Sequence, residues 1–460
     1  MKYLIFFATL IFFSCKKDSF ITSADASLYT NVDTLFFDTV FTTVGSVTQS
    51  FKIFNTNNEK LRLSQVKLSG GITSPFKMNV NGTSGTEINN IEINANDSIY
   101  VFVQVNAPMS DSTLPFILND SIQISYNGNK KIVQLQAYGQ NAVFLKNKKL
   151  TGNVGWNNKL PYVILGGIQI DTNATLNISA GTKIFLHADA PFLVDGTLKA
   201  IGTKDQPVIF SGDRLDADYK SLPASWPGIF FRNTSENNYL KHSIIKNAYQ
   251  GIIAQNLSTT TAPKVTISQC IFDNIYDAGI SGINTNIYAD NSLISNCGSN
   301  VQLQAGGDYR FINCTIASYN TIYIVHKNPV LQLSNSINQN GTVFTTPLKA
   351  FFQNCILWGD GGTVDNEISI GKQGTSPFSV SFDHVLYKSK DDIANASFIS
   401  SIKNENPMFD SINISKNIFD FHFNNNPTSP IVNAGTATPF IYDLDDKKRD
   451  GNPDIGCYER

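Results

Sequence analysis

Six segments of this chain share one register: HSIIKN (242–247), QCIFDN (269–274), NSLISN (291–296), NCTIAS (313–318), NSINQN (335–340) and NCILWG (354–359). One small residue holds the second place in each: Ser243, Cys270, Ser292, Cys314, Ser336 and Cys355. By subtraction their separations are 27, 22, 22, 22 and 19 residues. A recurrence of this length is the signature of stacked repeat units. The segments are apolar, β-branched and too short for helices, so the repeat is a coil of short parallel strands. Successive turns of such a coil lie about 4.8 Å apart, and equivalent residues sit above one another. The interior is narrow, which explains Ser and Cys in the recurring slot.

The residue before the slot is His242, Gln269, Asn291, Asn313, Asn335, Asn354 and Asp383 in turn, with His384 the last expected slot member. A second near-column, four residues beyond the slot, holds Asn247, Asn274, Asn296 and Asn340. Stacked amides donate and accept along such a column, and Asn tolerates the left-handed backbone of tight corners. If every register is one coil, Cys270, Cys314 and Cys355 lie two coils apart, about 9.6 Å on this spacing. A disulfide needs Cα atoms within about 6.8 Å. The three are therefore expected as buried, unpaired fillers. Cys297 and Cys457 lie outside the column, and no CxxC or close Cys/His group suggests a metal site.

The chain around the repeat is also all-β. Strand-like runs punctuated by Gly and Asn begin near Gly152. The stretch from Ile168 to Phe210 and SWPGIFF (225–231) resemble the opening coils of right-handed parallel β-helices of the pectate-lyase-like superfamily. Upstream, period-two alternation in Ile99-x-Val101-x-Val103-x-Val105, Ile122-x-Ile124 and Val133-x-Leu135-x-Ala137 reads as half-buried strands. Turn signals such as Asn81-Gly82 and Asn127-Gly128 separate them. About seven strands in this length suit an immunoglobulin-like sandwich. ANDSIYVFV (95–103), the following Ala107-Pro108 and LQAYG (135–139) resemble the Hydin-type immunoglobulin-like family, which implies a spacer or interaction module. At the other end, SPIVNAG (429–435), DLDDKKR (443–449) and PDIGCYE (453–459) resemble the choice-of-anchor Q region that follows β-helices in bacterial surface proteins. That resemblance implies a cap on the carboxyl end of the stack.

The amino terminus reads MKYLIFFATLIFFSCKKDSF (1–20). A lysine precedes an apolar run over residues 3–13, too short to span a bilayer and suited to a signal peptide. Phe12-Phe13-Ser14-Cys15 resembles a bacterial lipobox. The resemblance implies diacylglycerol on Cys15, cleavage before it and a further acyl chain, and hence stable membrane anchoring. Lys16 is not Asp, so the expected location is the outer membrane. The expected organisation is signal peptide 1–14, lipidated Cys15 and tether 15–31, sandwich 32–141, β-helix 142–428 and cap 429–460.

Composition excludes some partners. With 35 basic and 37 acidic residues the formal charge is −2, which gives no footprint for nucleic acid. Among β-helix enzymes, pectate-lyase-like members use Ca²⁺ on an Asp cluster with an Arg or Lys base; polygalacturonase-like hydrolases use several Asp with Gly-His-Gly. Neither Gly-His-Gly nor Asn-Thr-Asp occurs here. Asp391-Asp392 and Asp445-Asp446 fall outside repeat strands. The best local candidate is the insertion GDRLDADYK (212–220), leading to Trp226. Asp213, Asp216 and Asp218 offer oxygens to Ca²⁺, although the spacing is not that of an EF-hand. The plainer alternative is a solvated loop packing Trp226 on the neighbouring coil. Trp156, Trp226 and Trp358 could stack on sugars or simply pack. The expected function is a noncatalytic surface lipoprotein presenting a β-helix to glycan or another cell-surface component. A polysaccharide lyase or glycoside hydrolase acting on acidic polysaccharide, and a structural protein without small ligand, are the alternatives.

Overall fold

The structure, a computed structural model, describes residues 19–217, 219–423 and 425–460. The expected signal segment, the expected lipidation site Cys15 and the candidate Asp218 lie outside the described residues. The chain forms two compact units, divided between Asn141 and Ala142.

The first unit is a sandwich of two five-stranded sheets. One runs Leu28–Thr30, Gln49–Asn55, Asp97–Val105, Phe76–Val80 and Thr83–Gly85, antiparallel throughout. The other runs Thr34–Phe41, Asn129–Gln140, Phe116–Tyr126, Leu61–Leu68 and Glu87–Ile93, with only its first pair parallel. The alternation read from the sequence sets the inside: Val101, Val103, Ile122, Ile124, Val133 and Ala137 are fully buried. Ten strands form where about seven were expected, because short edge strands such as Thr83–Gly85 carry too little alternation to be read. Asn127-Gly128 closes its hairpin with φ of 46° and 82°, the two left-handed residues that a tight two-residue loop requires.

The second unit is a parallel β-helix. Its 26-stranded sheet folds into three ladders, each strand pairing in parallel with its equivalent one turn on. The ladder that carries the repeat passes through Val208–Gly212, Ser243–Lys246, Ile271–Asp273, Leu293–Ser295, Thr315–Tyr319, Ile356–Asp360, Leu386–Tyr387 and Ile402–Lys403. Before the six of these strands from Ser243–Lys246 to Leu386–Tyr387 the chain turns a corner in one residue. His242, Gln269, Asn291, Asn313, Asn354 and His384 all have φ between 41° and 53°. Ser243, Cys270, Ser292, Cys314, Cys355 and Val385 follow them into the interior, all fully buried.

Three sequence expectations are corrected by this register. Ser336 is not a rung: Thr315 pairs directly with Ile356. The intervening chain leaves the stack as a hairpin of Ser336–Gln339 and Thr342–Thr345, and Asn340 lies in its Asn340-Gly341 turn and not in the amide column. Asn335 and Asp383 are likewise not corners, and His384 is a corner with Val385 in the slot. Cys314 and Cys355 therefore sit on adjacent coils, and the two-coil separation holds only between Cys270 and Cys314. All five described cysteines are free and buried. Desolvation pushes the Cys270 and Cys457 thiols up to about 12, so neither is a nucleophile.

Equivalent aromatic residues also pile up. Phe311, Phe352, Phe382 and Phe398 occupy one register, with centroid separations of 5.2, 5.1 and 4.7 Å and interplanar angles of 20° or less.

The carboxyl-terminal segment docks along the side of the stack. Its apolar residues Phe421, Ile431, Leu444, Ile455 and Cys457 pack on the outward side chains Leu293, Ile356 and Leu386. The corner column is the seam. Gln269 bonds Asp443 and Asp446, Asn313 donates to Thr438, and Asn354 bonds Thr436. Asn291 accepts from the buried Arg449, which also pairs with Glu459 at 3.1 Å. One-residue corners require polar, αL-tolerant side chains, and those side chains are satisfied here by a distant segment.

Candidate functional site

Two of the candidate carboxylates in the insertion, Asp213 and Asp216, are engaged by basic side chains. Asp213 accepts from His187 at 2.7 Å, and Asp216 is held bidentate by Arg214 at 2.8 and 3.0 Å. Arg214 lies over the Tyr219 ring at 3.7 Å. A cation on Asp216 would have to displace that guanidinium. Trp226 is buried in the β-helix core, and its indole donates to the Lys246 carbonyl at 3.0 Å. It presents no face to a ligand, which corrects its candidacy. Among the described residues no group of three metal-ligating side chains exists. Asp445 and Asp446 turn to His422, Gln269 and the docking seam. Asp391 and Asp392 are taken by Asn366 and Lys403.

The insertion instead forms one wall of a lateral cleft of about 370 Å³. The floor is the outer face of the repeat ladder, and its residues fall into columns. Ile244, Ile271 and Leu293 form one; Lys246, Asp273 and Ser295 the next; Asn247, Asn274 and Asn296 the third. Lys220 and Ser221 make the near wall, and Thr321, Asn417, Phe419 and Phe421 the far one. The amide column fastens the near wall: Asn247 donates to the Lys220 carbonyl, and Asn274 to the Ser221 carbonyl and to Asn247, at 2.8, 2.8 and 2.9 Å. The repeat thus makes the floor, while the insertion and the returning carboxyl-terminal hairpin make the sides.

The cleft mixes charge, amide and ring. Asp273 is the sole lining carboxylate among the described residues. It accepts from Ser295 Oγ at 2.7 Å and from Asn296 Nδ2 at 3.4 Å. Burial pushes its pKa up against those hydrogen bonds and the Lys246 charge. Lys246 and Lys220 both line the cleft and make no ion pair among the described residues. Sequence reading found Asn247, Asn274 and Asn296. It missed Lys220, Lys246, Asp273 and Phe419, which acquire meaning only when distant segments meet.

No family model matches the chain, and no curated protein matches it. Solved structures do. The pectate lyase Pel9A is 13% identical over 70% of this chain and 88% of its own, with a TM-score of 0.31. A family 123 glycoside hydrolase from Clostridium perfringens, described for glycolipid glycan hydrolysis, is 12% identical over 25% of this chain and 26% of that one, with a TM-score of 0.19. The seventh PapD-like (ASH) domain of human CEP192 is 11% identical over 30% of this chain and 97% of its own, with a TM-score of 0.18. Likenesses this distant carry no functional inference. The class of the protein rests on its own strand register: a β-sandwich followed by a parallel β-helix.

Proposed function

We propose that this protein is an exported lipoprotein, anchored through Cys15 in the outer membrane, whose β-helix binds polysaccharide in the lateral cleft without cleaving it. The observation that carries the reading is the cleft floor. Donors and acceptors recur there at one-coil intervals of about 4.8 Å, beside Phe419 and Phe421. A chain of sugar rings presents hydroxyl edges and apolar faces at a similar repeat. Hydrolysis commonly uses two carboxyl groups roughly 5–9.5 Å apart, and among the described residues the lining contributes one, already bonded to Ser295 and Asn296.

A glycan array probed with the full exported chain tests the binding, together with reducing-end and unsaturated-product assays. Retention without product, weakened by Lys246→Ala, is the expected result. Product release would replace the reading with a lyase or hydrolase. Cys15→Ser tests the anchoring: the variant should move from the detergent-extracted membrane fraction to the soluble one.

A further inference from the structure

The sandwich carries its own surface feature, distinct from the cleft. On the sheet that begins with Leu28–Thr30, the inward positions are mostly apolar, Phe51, Ile53, Phe76, Met78, Val101 and Val103 among them, and the outward ones form a coherent set. Tyr29, Tyr100 and Phe102 are 56%, 45% and 40% exposed, and Phe54 lies half-buried between strands. Tyr29 pairs across the strands with Phe54, their rings 5.6 Å apart. Tyr100 and Phe102, two residues apart on one strand, stack at 5.5 Å and 13°. Lys52 lies opposite Tyr100, with its ammonium 4.5 Å above the ring. Past Phe102 the track opens into a depression of about 710 Å³ lined by Lys77, Asn79, Ser84, Gln104 and Thr48. There Asn79 donates to Ser84 at 2.9 Å and Gln104 to Thr48 at 2.6 Å, so the polar rim is fixed in place.

Four aromatic side chains on one exposed sheet face are more than packing requires, since the core of this unit lies on the other side. Exposed large apolar groups grouped on a face mark an interaction surface. Its chemistry selects the occupant. The outward positions around the rings are aromatic, hydroxyl, amide or lysine, and the one acid in these five strands is the exposed Asp97 at the start of its strand, so the face favours a neutral or anionic ligand. Ring faces beside hydrogen-bonding edges match the alternating apolar faces and hydroxyl rims of pyranose rings. A peptide strand would instead add to a sheet edge through its backbone.

We propose that this face binds an extended polysaccharide chain lying across the strands, stacked on Tyr29, Phe54, Tyr100 and Phe102, with its end in the depression. The sandwich is then a second recognition module and not only a spacer. The proposal stands independently of the cleft.

The test uses the full exported chain in affinity electrophoresis through hydroxyethylcellulose, xylan and polygalacturonate. Three proteins are compared: wild type, the double variant Tyr100→Ala/Phe102→Ala and the cleft variant Lys246→Ala, each with unchanged far-UV circular dichroism. For at least one polysaccharide, the double variant should lose about tenfold or more in affinity, as two stacking contacts predict, a loss separate from and additional to any that Lys246→Ala causes through the cleft. Retention unchanged in the double variant overturns the proposal, and if Lys246→Ala then abolishes binding, the cleft reading survives alone. No retention of the wild type by any of the three also overturns it. So does a double variant that alters self-association in light scattering without altering retention, because the occupant is then a second copy.

Discussion

Replacing Phe352 by alanine removes the second ring of the four-ring stack, and the structure sets the size of the effect. Phe352 is fully buried. It is faced on one side by Phe311 at 5.2 Å and on the other by Phe382 at 5.1 Å. Truncating a buried phenylalanine costs about 3–5 kcal/mol, more when the surroundings cannot collapse. In-register strands on both sides fix the neighbouring rings, so the cavity stays open. Each lost aromatic pair adds about 0.5–1.5 kcal/mol. The expected destabilisation is therefore at the upper end, about 5 kcal/mol. Urea unfolding followed by tryptophan fluorescence reads this cleanly, because Trp156, Trp226 and Trp358 all belong to the β-helix unit. Phe344→Ala, on the exposed hairpin, should stay within about 0.5 kcal/mol. A loss below about 2 kcal/mol for Phe352→Ala would refute the stacked-ring reasoning.

Three other outcomes follow from the same contacts. Arg449→Ala strands the buried Glu459 carboxylate and the Asn291 corner. It should cost about 3–5 kcal/mol and expose residues 411–460 to hydrogen exchange before the coils. His422 is partly desolvated, which lowers its pKa, but hydrogen bonds from its ring to Asp420 and Asp445 outweigh this and hold it above the ordinary value. A raised histidine pKa stabilises fully below the unfolded value and ceases to do so as pH rises through the folded one. The hairpin Ser411–Asn413/Ile418–Asp420 should thus loosen on going from mildly acidic to mildly alkaline pH, and Asp445→Asn should shift the NMR titration of His422 downward. Lys264 is fully buried, with its ammonium on the carbonyls of Asn233 and Ser235, both at 3.0 Å. Lys264→Met leaves those oxygens unsatisfied and should lower the unfolding free energy by about 1–3 kcal/mol per orphaned acceptor, read by the same urea titration.

Much of the architecture was legible in the residues because its causes are local. A slot narrow enough to need Ser or Cys, corners that need Asn, and alternation that sorts inside from outside all leave marks in the sequence. Ser336 misled because Asn-Ser-Ile copies the corner-and-slot pattern, although the Asn340-Gly341 turn that follows is a hairpin signal. Val385 was missed because the slot was taken to admit only small residues. The docking of the carboxyl-terminal segment along the side was not legible. Arg449 and Asn291 are 158 residues apart, and nothing local in either states the pairing. The cleft was half legible: the amide column marked its floor, while its walls come from an insertion and a returning hairpin.

The register itself is tested most directly by excising the hairpin. Ser336 and Thr345 face each other as its first pair, and Thr346 N donates to the Asn335 carbonyl at 2.9 Å. Residues 337–344 can therefore be replaced by Asn-Gly, which closes a two-residue loop. If Thr315 pairs with Ile356, the shortened chain keeps every rung, and its tryptophan-monitored unfolding free energy stays within about 0.5 kcal/mol of wild type. If Ser336 instead belongs to a coil, the deletion removes a rung from the stack, and the β-helix transition collapses.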